Sequence, residues 1–179
     1  MKKLFYFIII LIFSACSVTT EEDTKATATS STAIPDYETT TLSGKVSGTS
    51  WTFQTGRVTV PSSSSGSYWV YMTNDNLSNA CSSTYTGTSS NPVVFYARSE
   101  APAVGETELG WGTDKGTATA YDGSTNYILS TGKISIVTAT TTEVTGKMYA
   151  KYDSDSEING TFTLSRCCTS GSSYALCSE

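Results

Sequence analysis

The run from Glu143 to Cys168 admits only one backbone period. Met148, Ala150 and Tyr152 fall on one side of an extended chain, Asp153-Ser154-Asp155-Ser156 supplies turn residues, and Ile158, Gly160, Phe162 and Leu164 return in a common phase. Thr161, Thr163 and Ser165 take the other phase. A strand with one apolar and one Thr/Ser face is half-solvated and antiparallel, unlike the doubly buried strand of a parallel sheet. The same texture continues over residues 41–179, where short runs rich in Val, Ile, Thr, Tyr, Phe and Trp alternate with Gly, Ser, Asn and Asp clusters and no helical period emerges. Strands are expected near 41–47, 51–60, 67–73, 92–98, 106–111, 117–122, 126–131, 133–140, 143–152 and 157–167. The expected fold is all-β, an antiparallel sandwich or barrel of about 8–10 strands in one domain spanning 41–179. In its first hairpin Gly48 supplies the turn, and Trp51 and Phe53 point together into the core.

The amino terminus sets the compartment. Lys2 and Lys3 precede ten apolar residues, Leu4 to Phe13, and then Ser14-Ala15-Cys16-Ser17, the layout of a secretory signal. As a helix this run is roughly 15 Å long, half the ~30 Å hydrocarbon core, so it is too short for a permanent span. Cleavage after Ala15 would leave bulky Phe13 at a place where ordinary signal cleavage requires a small residue. The Ser-Ala-Cys order instead resembles the bacterial lipobox, which implies a signal peptide over 1–15 and a lipidated Cys16 as the first mature residue. Phe13 stands where that motif most often has Leu. Two or three acyl chains make a lasting anchor, whereas one gives only marginal membrane affinity at ~0.8 kcal/mol per buried CH₂. Ser17, in the absence of an Asp there, resembles outer-membrane sorting. Residues 16–40 are rich in Thr, Ser and acid and read as a disordered tether, with a reach of roughly 25–30 Å. Glu21, Glu22 and Asp23 resemble a surface-export signal, and a solvated charge cluster accounts for the same residues.

With Cys16 taken by lipid, Cys81, Cys167, Cys168 and Cys177 form an even set in an exported chain, the arithmetic of two disulfides. A bridge between the adjacent Cys167 and Cys168 would close a strained ring. Two pairings remain, Cys81 with Cys167 or with Cys168, and Cys177 takes the other cysteine in each. Alternation places Cys167 on the Thr/Ser face and Cys168 in phase with Phe162 and Leu164, although Arg166 in that phase marks a strand leaving the core. The pairing of Cys81 with Cys167 is favoured.

Function classes are narrowed by what is missing. The chain has no His, which removes Ser-His and Cys-His nucleophiles and His-ligated metals. No cofactor or metal site is expected. Glu100, Glu106, Glu108, Asp114 and Asp122 keep a carboxylate-pair hydrolase open, but no spacing pairs them. Asp153-Ser154-Asp155-Ser156-Glu157 has the alternating acids of a calcium loop, yet Ile158 stands where Gly is needed and Leu164 where an acid is needed. Without Lys2 and Lys3 the chain keeps nine basic residues against sixteen acids, about minus seven in net charge, which argues against nucleic acid. Tyr68-Trp69-Val70-Tyr71 and Val93-Val94-Phe95-Tyr96 are apolar on both faces, so the face with Trp69 and Tyr71 is either covered by a second layer, the favoured reading, or open for stacking on a glycan or peptide. Trp111, between Gly110 and Gly112, reads as an exposed loop ring.

Ser43-Gly44-Lys45-Val46-Ser47-Gly48, Trp51-Thr52-Phe53 with Gly56-Arg57, Gly146-Lys147-Met148-Tyr149-Ala150-Lys151-Tyr152-Asp153 and Ile158-Asn159-Gly160-Thr161-Phe162 resemble the ends of uncharacterised small lipoproteins of Bdellovibrio-like bacteria. The resemblance covers the first and last hairpins and implies fold and location without a mechanism. The expectation is an outer-membrane-anchored, non-catalytic surface or periplasmic binding or structural module, the membrane its partner through lipid and a glycan or peptide its ligand. A hydrolase of envelope polysaccharide is the alternative. Intact mass of the membrane-extracted protein checks the anchor. It should equal residues 16–179 plus acyl chains, and an unmodified chain starting at Val18 would sink the lipid assignment.

Overall fold

The structure, a computed structural model, describes residues 33–61, 66–98, 100–112, 114–170 and 173–178, with Ser170 by its backbone alone. Cys16, the signal and the expected tether up to residue 32 lie outside the described residues. Twelve strands follow one another: β1 (Ser43–Val46), β2 (Thr49–Thr52), β3 (Thr55–Thr59), β4 (Tyr68–Thr73), β5 (Val93–Arg98), β6 (Gly105–Leu109), β7 (Ala118–Tyr121), β8 (Asn126–Leu129), β9 (Thr131–Ala139), β10 (Glu143–Asp153), β11 (Ser156–Ser170) and β12 (Ser173–Leu176). They form one mixed sheet in the order β6-β9-β10-β11-β3-β4-β5-β7-β8. Gly116, just ahead of β7, bridges Leu109 at the end of β6, so the β6 end of this path meets the chain entering the strand next to its other end, and the sheet is nearly closed into a barrel. The barrel alternative is the one realised.

The alternation read from the sequence sets the inner face. Val58, Met72, Val94, Ala120, Met148, Ala150, Phe162 and Leu164 are buried together, while Thr161, Thr163 and Ser165 lie on the other side of β11. The β1–β2 hairpin packs Val46 and Trp51 into one end of this core. The Trp51 indole N–H donates to the Pro92 carbonyl at 2.9 Å, the partner a buried tryptophan requires. Replacing such a ring by Ala costs about 3–5 kcal/mol.

Three features differ from the sequence reading. The run 51–60 is two strands, because the Phe53 N–H donates to Leu42 and the Gln54 N–H to Thr73, and the chain thus changes neighbours at that step. The sheet is not purely antiparallel. β1 runs antiparallel to β11, β2 reverses it, and β3 continues in that direction to meet β11 in parallel at Ser165–Cys167. β12 was not anticipated, since a four-residue tail strand carries little pattern; it pairs Cys167–Ser170 of β11.

The tether expected up to residue 40 is docked over its last residues. The Thr161 N–H donates to Thr40, the Leu42 N–H to Thr161, the Glu38 N–H to Asn159 Oδ1, and Asn159 Nδ2 donates to Asp36 O. Gly160, at φ +139°, makes room for this passage: a Cβ there would stand 2.6 Å from the Thr40 carbonyl and 2.7 Å from the Leu42 backbone.

Cys81 pairs with Cys167 and Cys168 with Cys177, with Cα separations of 5.5 and 5.0 Å. The sequence separations are 86 and 9 residues. Chain-entropy arithmetic then assigns about 4.5 kcal/mol to the first bridge and about 2.5 kcal/mol to the second. The double variant Cys81→Ala/Cys167→Ala is expected to lose more stability in urea titration than Cys168→Ala/Cys177→Ala. The reverse order would show that native strain or residual unfolded structure outweighs loop entropy here.

Candidate functional site

β5 (Val93–Arg98) connects two differently filled regions of the barrel. Pro92 before its first residue receives the Trp51 hydrogen bond, so the hairpin closes that end, while Arg98 at its last residue lies at the other. There a cavity of about 210 Å³ opens. Its walls are inner-phase residues: Val70 of β4, Tyr96 of β5, Ile134 and Ile136 of β9, Phe162 and Leu164 of β11. Its rim is the 100–105 connection, with Glu100, Pro102 and the exposed Val104, together with Glu106.

Arg98 follows Val94 and Tyr96 in inward phase and sits opposite Tyr68 across the β4–β5 pair. Its Nη1 donates to the Tyr96 hydroxyl at 3.2 Å and to Thr107 Oγ1. It makes no ion pair among the described residues. Gly116 leaves room for the Tyr96 ring, which passes 2.4 Å from where a Cβ would be. Lining the rim, Glu106 accepts from Tyr37 at 3.0 Å, and Lys133 lies 4.6 Å from the Tyr37 ring centroid. Burial, with that carboxylate beside it, holds the Tyr37 phenol well above its usual range.

The other acids named from sequence are committed elsewhere or exposed. Glu108 pairs with Lys115 at 2.5 Å. Asp122 accepts from the amides of Thr125 and Ser124 and from the Tyr127 hydroxyl, bonds that hold its carboxyl well below the usual range. Asp114 is exposed in the loop after β6. Only Glu100 and Glu106 come to one cavity, and both are exposed. In the acidic hairpin Asp153 caps the Asp155 N–H at 2.9 Å, and Glu157 binds Lys151 at 2.6 Å and the Tyr149 hydroxyl at 3.0 Å, bonds that lower its carboxyl. Those residues build a turn and an ion pair.

Trp69 and Tyr71 lie on the outer face of β4, with ring centroids 6.2 Å apart. The expected second layer is partial. Tyr71 is half-buried against Tyr85, whereas Trp69 remains 39% exposed beside Phe95. Trp111 is 73% exposed, and no ring contact joins it to the others among the described residues. The three rings therefore do not form one platform.

A wider depression of about 370 Å³ lies over Arg57. This guanidinium stands 5.3, 4.7 and 5.3 Å from the ring centroids of Tyr71, Tyr85 and Tyr174. Its Nη1 donates to the carbonyls of Ala80, Cys81 and Ser83 at 3.4, 2.6 and 3.0 Å. Burial pushes the Tyr85 phenol up to about 12, with Arg57 opposing it. The Nη1 bonds hold the 80–85 loop onto the wall beside the Cys81–Cys167 bridge, while the buried Nε has no hydrogen-bond partner among the described residues.

Arg98 was not singled out from the sequence. The available signal was a basic residue continuing the inward phase of Val94 and Tyr96 with no acid placed to meet it. Comparison with protein-family models, curated proteins and solved structures gives no match to this chain.

The clamp assignment makes a distinct expectation. Arg57→Met should cost about 2–3 kcal/mol, the scale of hydrogen bonds to a charged group, and speed amide exchange in the 80–85 loop. Exchange at Ile134 and Ile136 should stay at wild-type rates relative to global stability. A variant as stable as wild type would refute the clamp.

Proposed function

We propose that this chain is an outer-membrane lipoprotein, anchored through Cys16, whose β-barrel is a non-catalytic binding module that takes its ligand at the open end. The observation that carries the reading is the apolar-walled cavity at that end, with a half-buried arginine that has no ionic partner among the described residues. Small-ligand sites combine such walls with a few convergent polar groups, and the mouths of barrels are a recurrent place for them. The export-signal layout and the even set of bridged cysteines support an envelope location. So does the resemblance to small lipoproteins.

The hydrolase alternative would rest on Glu100 and Glu106. A carboxylic acid that donates a proton near neutral pH needs burial or a close like charge to hold that proton. Both side chains are exposed, and Glu106 accepts a hydrogen bond from Tyr37. This arrangement favours binding over turnover. Trp69, open beside Phe95, gives a second surface on which a sugar ring could stack.

Titration of the isotope-labelled mature chain with peptidoglycan fragments, oligosaccharides and short peptides tests the reading. Ligand-induced shifts are expected at Arg98, Thr107, Ile134 and Ile136, with no product formed on prolonged incubation. Turnover abolished by Glu100→Gln or Glu106→Gln would overturn the non-catalytic assignment, and shifts confined to Trp69 and Phe95 would move the site to the outer wall.

A further inference from the structure

We infer that the open end of the barrel is a monocarboxylate site, in which Arg98 receives the carboxylate of a compact ligand whose apolar body lies against Ile134, Ile136, Phe162 and Leu164. This rests on the binding reading above and names the ligand class. Four observations carry it.

Arg98 is presented rather than spent. Both of its protein hydrogen bonds leave from Nη1, to Tyr96 and Thr107, so Nε and Nη2 donate to no protein atom among the described residues. That is the guanidinium edge that meets a carboxylate with two parallel N–H···O bonds. The two neutral hydroxyl partners fix its orientation without neutralising it. Arg57 differs in its surroundings: its Nη1 reaches three backbone carbonyls, its faces meet three tyrosines, and its free Nε is buried rather than presented to an apolar-walled opening.

The remaining walls set the other end of the ligand. Val70, Ile134, Ile136, Phe162 and Leu164 offer only hydrocarbon, and the polar side chains of the lining (Tyr68, Tyr96, Arg98, Thr107 and the rim acids) belong to β4, β5, β6 and the rim rather than to the β9 and β11 walls. Lacking polar groups there, a sugar would lose hydrogen bonds to water without replacement, whereas an alkyl or aryl body loses nothing. Size narrows the class further. About 210 Å³ falls below the roughly 300–1,000 Å³ of pockets that hold drug-sized ligands.

The rim sets the charge. Glu100 and Glu106 border the opening, on a chain of net charge minus five. They repel a second negative charge outside the cavity, so phosphate esters and dicarboxylates are disfavoured relative to a single carboxylate seated on Arg98.

The experiment uses the oxidised mature chain with three probes: hexanoate, its neutral isostere hexanamide, and acetate. Hexanoate should shift the Arg98 side-chain N–H and the Ile134 and Ile136 methyls, and bind at least tenfold more tightly than hexanamide or acetate. Arg98→Gln should erase the preference for hexanoate over hexanamide. Arg98→Lys, which keeps the charge and loses the paired geometry, should retain part of it. If Arg98→Gln does not fold, the wild-type comparison of hexanoate with hexanamide together with Arg98→Lys decides the matter. Equal affinity for hexanoate and hexanamide, or a preference unchanged in the Arg98 variants, would overturn the proposal. Should a glycan or peptide shift the cavity residues when none of the three probes does, the carboxylate class falls and the binding reading stands. If nothing shifts them, both fall.

Discussion

β11 is the element on which the molecule depends, because a fifteen-residue strand presents two long edges of N–H and C=O groups that must all find partners. β10 takes one edge from Ser165 back to Ser156. The other edge is shared: Thr40 to Leu42 and β1 take its first half, and β3 takes Ser165–Cys167 in parallel. Among the described residues no other strand is as long as β11, so none covers that edge alone. The division forces the chain through the β1–β2 hairpin between its two visits to β11, and the hairpin is what fills one end of the barrel with Val46 and Trp51. A closed end and a single parallel pair are thus consequences of one strand's hydrogen-bonding demand.

The outer wall meets a different constraint. The Thr/Ser phase of β11 faces outward, and Cys167 in that phase is nevertheless fully buried, because the loop carrying Cys81 is tied over it. Arg57, opposite Ser165 and opposite Tyr71, anchors the same loop through Ala80, Cys81 and Ser83. A covalent bond and a cation surrounded by tyrosines do here what a second sheet does in a sandwich. The cover stops at Tyr71, and Trp69, two residues earlier in the outward phase, is left open.

The two ends of the barrel differ in what fills the inner phase. At the closed end tryptophan and aliphatic groups pack to full burial. At the open end Arg98 occupies an inward position, and a charge cannot be packed against hydrocarbon without a partner. The cavity follows from that choice of residue: the guanidinium keeps solvent access, the apolar side chains of β9 and β11 below it remain reachable, and the 100–105 connection crosses the rim without sealing it.

What the sequence by itself determined was whatever depends on local period and local chemistry. The all-β class, the inward set Met148, Ala150, Ile158, Phe162 and Leu164, the core role of Trp51 and Phe53, the exposure of Trp111 and the expectation of two disulfides follow from alternation, turn residues and cysteine count, whereas the choice between the two remaining pairings was settled by the fold. The break inside 51–60, the parallel contact of β3 with β11, the docking of Asp36–Thr40 and the barrel closure at Gly116 were decided by tertiary structure. Each depends on which distant backbone group is free to accept a hydrogen bond, and side-chain periodicity carries no record of that. The site belongs to the second kind. Arg98, Thr107, Ile134 and Phe162 are scattered over four strands, and only the closing of the sheet brings a cation without an ion pair among the described residues to a hydrocarbon-walled opening.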